Sequence, residues 1–243
     1  MPQLTPVEMS RYWSPVVAAL GLAGIPCELV VYRTIAEFEA EFNEGRADIV
    51  YLNPYHMVMA SRSKRYKALV RDARGLEGVL VVKRDGPVGN VAQLEHQTIS
   101  FPAPNAFGAS LYVRSVLDRH YQISFKAQYD GTHRNAVRQV LIGESAAAGV
   151  IKTTLEMEPP DVQNDLRVVY TTPALSPHPV AAHPRVPVAV RNKIIETLLS
   201  LAANPETKSV MRNIQIPNPV RADYDVDYAP LEALGIEKYV IAD

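Results

Sequence analysis

The chain has 243 residues, with 25 Lys and Arg against 26 Asp and Glu, a formal charge of -1, and 47% hydrophobic residues. That balance suits a globular chain with a sizeable core and lacks the clustered positive charge of a nucleic-acid surface. The lone Cys27 excludes an intrachain disulfide, and no run approaches the roughly 20 apolar residues of a membrane helix.

A helix is expected over residues 7–20. Thr5-Pro6 suits its N-cap and first turn, Glu8 adds favourable charge there, and Met9, Trp13, Val16, Val17 and Leu20 recur at helical spacing. Pro15 conflicts with it locally; Gly21 and Gly24 end it. Glu28 to Tyr32 reads as a strand with Cys27 packed at its start, and Ile35 to Glu44 as a helix with Phe38 and Phe42 on one face.

Gly45 to His56 is the most informative stretch. A short apolar run, Asp48 to Leu52, stops at Asn53-Pro54-Tyr55 and gives way to a helix over about 55–63. It reads as a buried parallel strand ended by a proline, with Tyr51, Asn53 and Tyr55 at its carboxyl end, where open α/β sheets bind ligands.

Strands follow at 67–71 and 78–83, and Gly86 to Gly89 reads as a crossover. Beyond it come a helical turn at 91–94, a strand at 98–101, the loop Pro102 to Gly108, and a helix to about His120. A strand at 125–129, a helix at 134–143 and strands at 146–151 and 166–170 complete this part. Five prolines between Thr171 and Pro187 suit an extended return. Helices are expected at 188–202 and 205–212, then a tail packed by Tyr224, Tyr228, Leu231 and Leu234.

This alternation predicts an α/β fold of two lobes, 1–86 with 176–243 and 87–175, and a ligand cleft between them. Three strand-to-helix turns fall on the same end of the predicted parallel strands. The first is Tyr51 to Tyr55. The second is Asn105-Ala106-Phe107-Gly108, where an Asn cap and backbone N–H groups favour an anion. The third is Asp130 to Asn135, where Thr132 or Asp130 caps a helix and His133 and Arg134 supply donors. Lys152, after the Ala-rich strand, ends on the same side.

Catalytic and cofactor motifs are missing. There is no G-x-G-x-x-G, Walker loop or G-x-S-x-G elbow, and the six histidines lack metal-binding spacing. Glu156 and Glu158 read as a solvated loop. Asp223, Asp225 and Asp227 lack the Gly and terminal Glu of a calcium loop. No catalytic residue, metal or cofactor is expected.

Taken in order, Gly45 to Tyr55, Gly78 to Asp85, Phe101 to Ser110, Gly131-Thr132-His133 and Gly143 to Thr153 resemble the PhnD-type solute-binding proteins of phosphate, phosphite and phosphonate ABC transporters. The resemblance covers nearly the whole chain and implies the two-lobed type 2 periplasmic-binding-protein fold, closing on its ligand by hinge motion. It further implies capture of a small polar or anionic ligand and no enzyme activity. The partner would be an ABC permease or a signalling protein, and the location periplasmic, with no membrane insertion and no nucleic acid. Tyr51 and His133 match family ligand positions. The family's hydroxyl-rich loop falls at Asn105-Ala106-Phe107 and its acidic position at Ala146-Ala147, so neither the hydroxyls nor the carboxylate is present. Family members begin with a signal peptide and a first strand; Pro2 to Pro6 resembles the turn after that strand, which implies a shortened start. The alternative is a type 2 enzyme or an intracellular binding protein of cofactor biosynthesis.

Overall fold

A computed structural model describes residues 6–241. In chain order the elements are α1 (Pro6–Leu22), α2 (Ile35–Asn43), β1 (Ile49–Tyr51), α3 (Pro54–Lys64), β2 (Lys67–Asp72), β3 (Gly78–Lys83) and β4 (Thr98–Phe101). Then come a π-helical turn at Phe107–Leu111, α4 (Tyr112–Arg119), β5 (Lys126–Tyr129), α5 (His133–Ile142), β6 (Ala147–Ile151), α6 (Lys152–Glu156), α7 (Pro160–Asn164) and β7 (Leu166–Thr171). The chain closes with β8 (Val180–Ala182), α8 (Val188–Ala203), α9 (Lys208–Asn213), β9 (Pro219–Arg221) and α10 (Tyr224–Asp227). Thr5, expected to cap α1, lies outside the described residues.

Two compact units result. The first takes the chain up to Gly75 and Ser176–Ala233; the second takes Leu76–Leu175 and the chain from Leu234. The sequence reading put residues 78–86 and the carboxyl tail with the first lobe. The ladder decides otherwise for β3, which pairs with β6 and β7 and so lies inside the second sheet.

The first unit holds a four-stranded sheet in the order β1-β8-β2-β9. Every pair in it is antiparallel, so the parallel strand expected at 48–52 is corrected: β1 runs against β8, with Val50 opposite Ala181. The prolines at 177, 179, 184 and 187 flank β8 without entering it, which lets a strand form inside the segment expected to be only an extended return. α1 runs through Pro15, whose ring nitrogen has no hydrogen for the Arg11 carbonyl. Val16 and Leu20 of α1 pack with Ile194 and Leu198 of α8 and Met211 of α9 over Val70 and Val180. Thr34 and Glu37 form a reciprocal capping box at the start of α2. The strand expected at 28–32 does not form, because that segment has no ladder partner among the described residues.

The second unit holds a five-stranded sheet in the order β5-β4-β6-β3-β7. β5, β4 and β6 are mutually parallel; β3 runs antiparallel to β6 and β7. Strand periodicity sorts the core. Leu80 and Val82 join Ile99, Phe101, Val113 and Leu117 on one face. Val79 and Val81 join Ala136, Val137, Val140 and Val150 on the other.

The π turn lies against this sheet, backbone to backbone. A Cβ on Gly149 would stand 2.3 Å from the Ala109 carbonyl oxygen and 2.5 Å from the Phe101 ring; one on Gly78 would stand 2.1 Å from the Gly108 oxygen. Only glycine fits either site. Arg114, 8% exposed, then ties three segments together. Its guanidinium donates to the Pro104 carbonyl at 2.7 Å, the Tyr239 carbonyl at 2.6 Å and the Ser110 hydroxyl at 3.1 Å. The carbonyl bonds fix the loop before the π turn and bring the chain's last turn onto α4.

Gly149→Ala is expected to destabilise the protein by at least about 2 kcal/mol through overpacking against fixed backbone. Urea unfolding checks this, with Ala148→Gly as the comparison that removes a methyl instead of adding one.

Candidate ligand-binding site

The site in the second unit follows from the parallel arrangement. Because β5, β4 and β6 point the same way, the turns after them, at residues 130–133, 102–108 and 152–153, emerge at one edge of the sheet. The Asp130 N–H donates to the Phe101 carbonyl at 2.9 Å and so joins the first two turns. Each of these two turns opens a helix. The first-turn N–H groups of a helix have no intrahelical acceptor, and its dipole favours negative charge there.

At the start of α5, Thr132 is the N-cap, and its hydroxyl accepts from the Asn135 N–H at 3.1 Å. The N–H groups of His133 and Arg134 precede that bond and face outward from the helix start. The Asn135 amide donates back to the Asp130 carbonyl at 2.9 Å, which fixes the turn. At the π turn the N-cap is Ala106, with no side-chain bond. Asn105, expected to cap here, instead pairs with the backbone of Ile241: Nδ2 donates at 2.9 Å and Oδ1 accepts at 3.1 Å. Its side chain is spent on holding the last turn. Phe107 is buried and stacks on Tyr112, and Gly108 packs against Leu76 and Ile151. Their backbone N–H groups are therefore what this turn offers.

The expected cations are also engaged. Arg134 Nε lies 3.3 Å from Glu158, which is buried rather than solvated as expected. Lys152 Nζ donates to Glu77 at 2.8 Å, a bond that raises the ammonium pKa. His133 differs: its Nδ1 is buried without a hydrogen-bond partner, and burial lowers its pKa to about 4, so the ring is neutral at pH 7.

Two polar atoms beside it share that condition, and the sequence reading did not assign them to the ligand. The Tyr129 hydroxyl and Asp130 Oδ2 are buried and unpartnered. Asp130 Oδ1 accepts from Gln128 at 2.9 Å, and the Tyr129 ring lies under the Arg114 guanidinium at 5.8 Å. Their place directly before Gly131-Thr132-His133 was the available signal: a strand end is read from the residues that close it as well as from those that open the helix. Among the described residues, no group of His, Cys, Asp and Glu is arranged to hold a metal ion.

The first unit presents Tyr51, Asn53 and Tyr55. Tyr51 packs between Trp13, at 4.9 Å between ring centroids, and His178, at 5.8 Å; burial drives its phenol pKa up. Asn53 caps α3, its Oδ1 accepting from the His56 N–H at 2.7 Å. Tyr55 is buried in the first turn of α3, and His56 beside it lies 2.9 Å from Glu39 between the Phe38 and Phe42 rings. Burial pushes the Asp227 carboxyl pKa up, but the Arg71 pair at 2.9 Å, with the Asp223 and Ser176 bonds, outweighs it and holds the carboxyl below the ordinary carboxylate range. Asp223 caps α10, so this acidic run is structural.

His133 makes stability depend on pH. Its folded pKa lies below its unfolded value of 6.5, so the unfolded chain binds more protons between the two. Stability is expected to fall as pH drops from 6.5 towards 4, by up to about 3 kcal/mol and less to the extent that solvent reaches the ring. Comparing urea midpoints of the parent and His133→Gln across that range checks it: the variant loses this part of the slope.

Comparisons with known proteins agree with the architecture. Residues 1–228 match the family described as the periplasmic substrate-binding protein of phosphonate ABC transporters. A binding protein component of a phosphonate ABC transporter from Pseudomonas aeruginosa superposes with a TM-score of 0.80 at 14% identity, covering 98% of this chain and 85% of its own. The PhnD1 protein of Prochlorococcus marinus, solved with methylphosphonate, gives 0.82 at 15%, covering 99% and 97%. A Xanthomonas citri protein solved with ATP gives 0.77 at 17%, covering 98% and 93%. The fold is that of the two-lobed periplasmic binding proteins. No curated protein sequence matches the chain.

Proposed function

Because this chain belongs to the periplasmic substrate-binding proteins of phosphonate ABC transporters, we propose that it captures a small tetrahedral oxyanion of the phosphonate class and delivers it to an importer permease. Its family is one of binding proteins, and among the described residues no helix is long and apolar enough to cross a membrane. Binding without bond making or breaking follows from that membership.

The observation that carries the ligand class is the pair of helix starts at adjacent parallel strand ends. Lys152 and Arg134 are neutralised by Glu77 and Glu158, so free cations do not supply the attraction. The backbone N–H groups of Phe107, Gly108, His133 and Arg134, with the neutral His133 ring, supply it instead. Tyr51, Asn53 and Tyr55 of the first unit are proposed as further contacts. The methylphosphonate in the Prochlorococcus protein supports the same class. A hydroxyl-free loop at Asn105 to Phe107 also suits a ligand held by backbone more than by side chains.

Isothermal titration with methylphosphonate, phosphate, phosphite and sulfate tests this reading. At least one phosphorus oxyanion is expected to bind. His133→Gln is expected to weaken it about 10- to 100-fold, the effect of losing one hydrogen bond to a charged group. No heat with any of the four, or equal affinity in the variant, contradicts it.

A further inference from the structure

The π turn that presents the Phe107 and Gly108 N–H groups continues without a break into α4, so the two form one helical run over residues 107–119. Its N-cap, Ala106, has no side chain able to accept, and among the described residues neither N–H group has a partner. An asparagine stands one place earlier. The side-chain oxygen of an Asn at a helix start accepts from the N–H two or three residues on. From Asn105 those are the N–H groups of Phe107 and Gly108, the same two assigned to the ligand. Yet Asn105, 5% exposed, has its amide held at both ends by Ile241: Nδ2 donates to the carbonyl at 2.9 Å, and Oδ1 accepts from the N–H at 3.1 Å.

Residues 239–241 lie in the same compact unit as the turn. Arg114 Nη2 donates both to the Tyr239 carbonyl at 2.6 Å and to the Pro104 carbonyl at 2.7 Å, and the Tyr239 hydroxyl donates to Asp118. Ile241 itself is 41% exposed, so its hold on Asn105 is a local contact that opens without unfolding the sheet. Once it opens, the Asn105 amide has lost both partners, and an unpaired buried amide is costly. The N–H groups two and three residues on are the partners that local geometry offers it. We propose that Asn105 is a positioning residue for the ligand: held by Ile241 it leaves the Phe107 and Gly108 N–H groups open, and released it caps them and competes with the ligand. This rests on the reading that these N–H groups hold the ligand. Docking of residues 239–241 and ligand binding then favour each other. The cap that the sequence describes and the contact that the structure holds are two states of one side chain.

Ile241→Pro tests this, because it removes the N–H that holds Asn105 Oδ1. Val240 is already extended, the conformation a residue before proline prefers. With no ligand present, the variant is expected to slow hydrogen exchange at the Phe107 and Gly108 amides about fivefold, the effect of an Asn cap. In isothermal titration it is expected to weaken methylphosphonate by about the same factor. Both effects are expected to shrink below about twofold in the Asn105→Ala background, where no cap can form. A merely structural contact predicts the opposite: Ile241→Pro loosens the turn, speeds exchange at Phe107 and Gly108, and is not rescued by Asn105→Ala. Faster or unchanged exchange at those amides overturns the proposal, and so does an equal effect in the two backgrounds. If Ile241→Pro does not fold, a chain ending at Val240 removes the same N–H and is read in the same way. The exchange measurement needs no ligand. A parent chain that binds no phosphorus oxyanion therefore contradicts the ligand reading, while protection at Phe107 and Gly108 still decides whether Asn105 caps the turn.

Discussion

The contact of the π turn with the sheet, backbone on backbone, is the constraint on which the second unit depends. Two carbonyl oxygens, those of Gly108 and Ala109, occupy the space where side chains of Gly78 and Gly149 would stand. With those positions empty of Cβ, the turn sinks onto β3 and β6. The Pro104 carbonyl then comes within reach of Arg114, and the last turn of the chain docks through Asn105 and Arg114. π turns are recurrent at functional sites because the extra residue re-aims a helix start without breaking the helix. Here the re-aimed start is the one that follows β4, beside the start of α5.

The two helix starts explain why polar side chains near them are divided so sharply. Groups with a structural task have found partners: Asn105 with Ile241, Lys152 with Glu77, Arg134 with Glu158, Thr132 with Asn135. Three buried atoms, on Tyr129, Asp130 and His133, have none. Leaving a buried polar group unpaired costs about 1–3 kcal/mol, so their clustering at one strand end is informative. A ligand with both acceptors and a donor would satisfy all three, which is the chemistry of the protonated tetrahedral oxyanion proposed above.

Much of this was legible in the sequence. Strand–helix alternation in the second unit, the Pro-ended strand at Asn53 and a cap at Thr132, one of the two residues expected there, follow from local rules and appear where those rules put them. Strand direction in the first unit was not legible. The run Ile49 to Tyr51 is apolar in either orientation, and the β8 segment that pairs with it was hidden among prolines. The fate of Asn105 was hidden for a different reason. Its partner is 136 residues away in sequence, and an Asn before a helix reads as a cap unless that partner is known. The strand expected at 28–32 failed from want of a neighbour, since its alternation is present and its ladder is not.

The central claim is that backbone N–H groups at two helix starts, with His133, hold the ligand. Titrating uniformly ¹⁵N-labelled protein with methylphosphonate and following amide and imidazole resonances tests it directly. The account predicts saturable shifts at Phe107, Gly108, His133 and Arg134 and at the His133 ring nitrogens, with α8 and α9 unmoved. Saturable shifts confined to other residues, with these four amides silent, would contradict it.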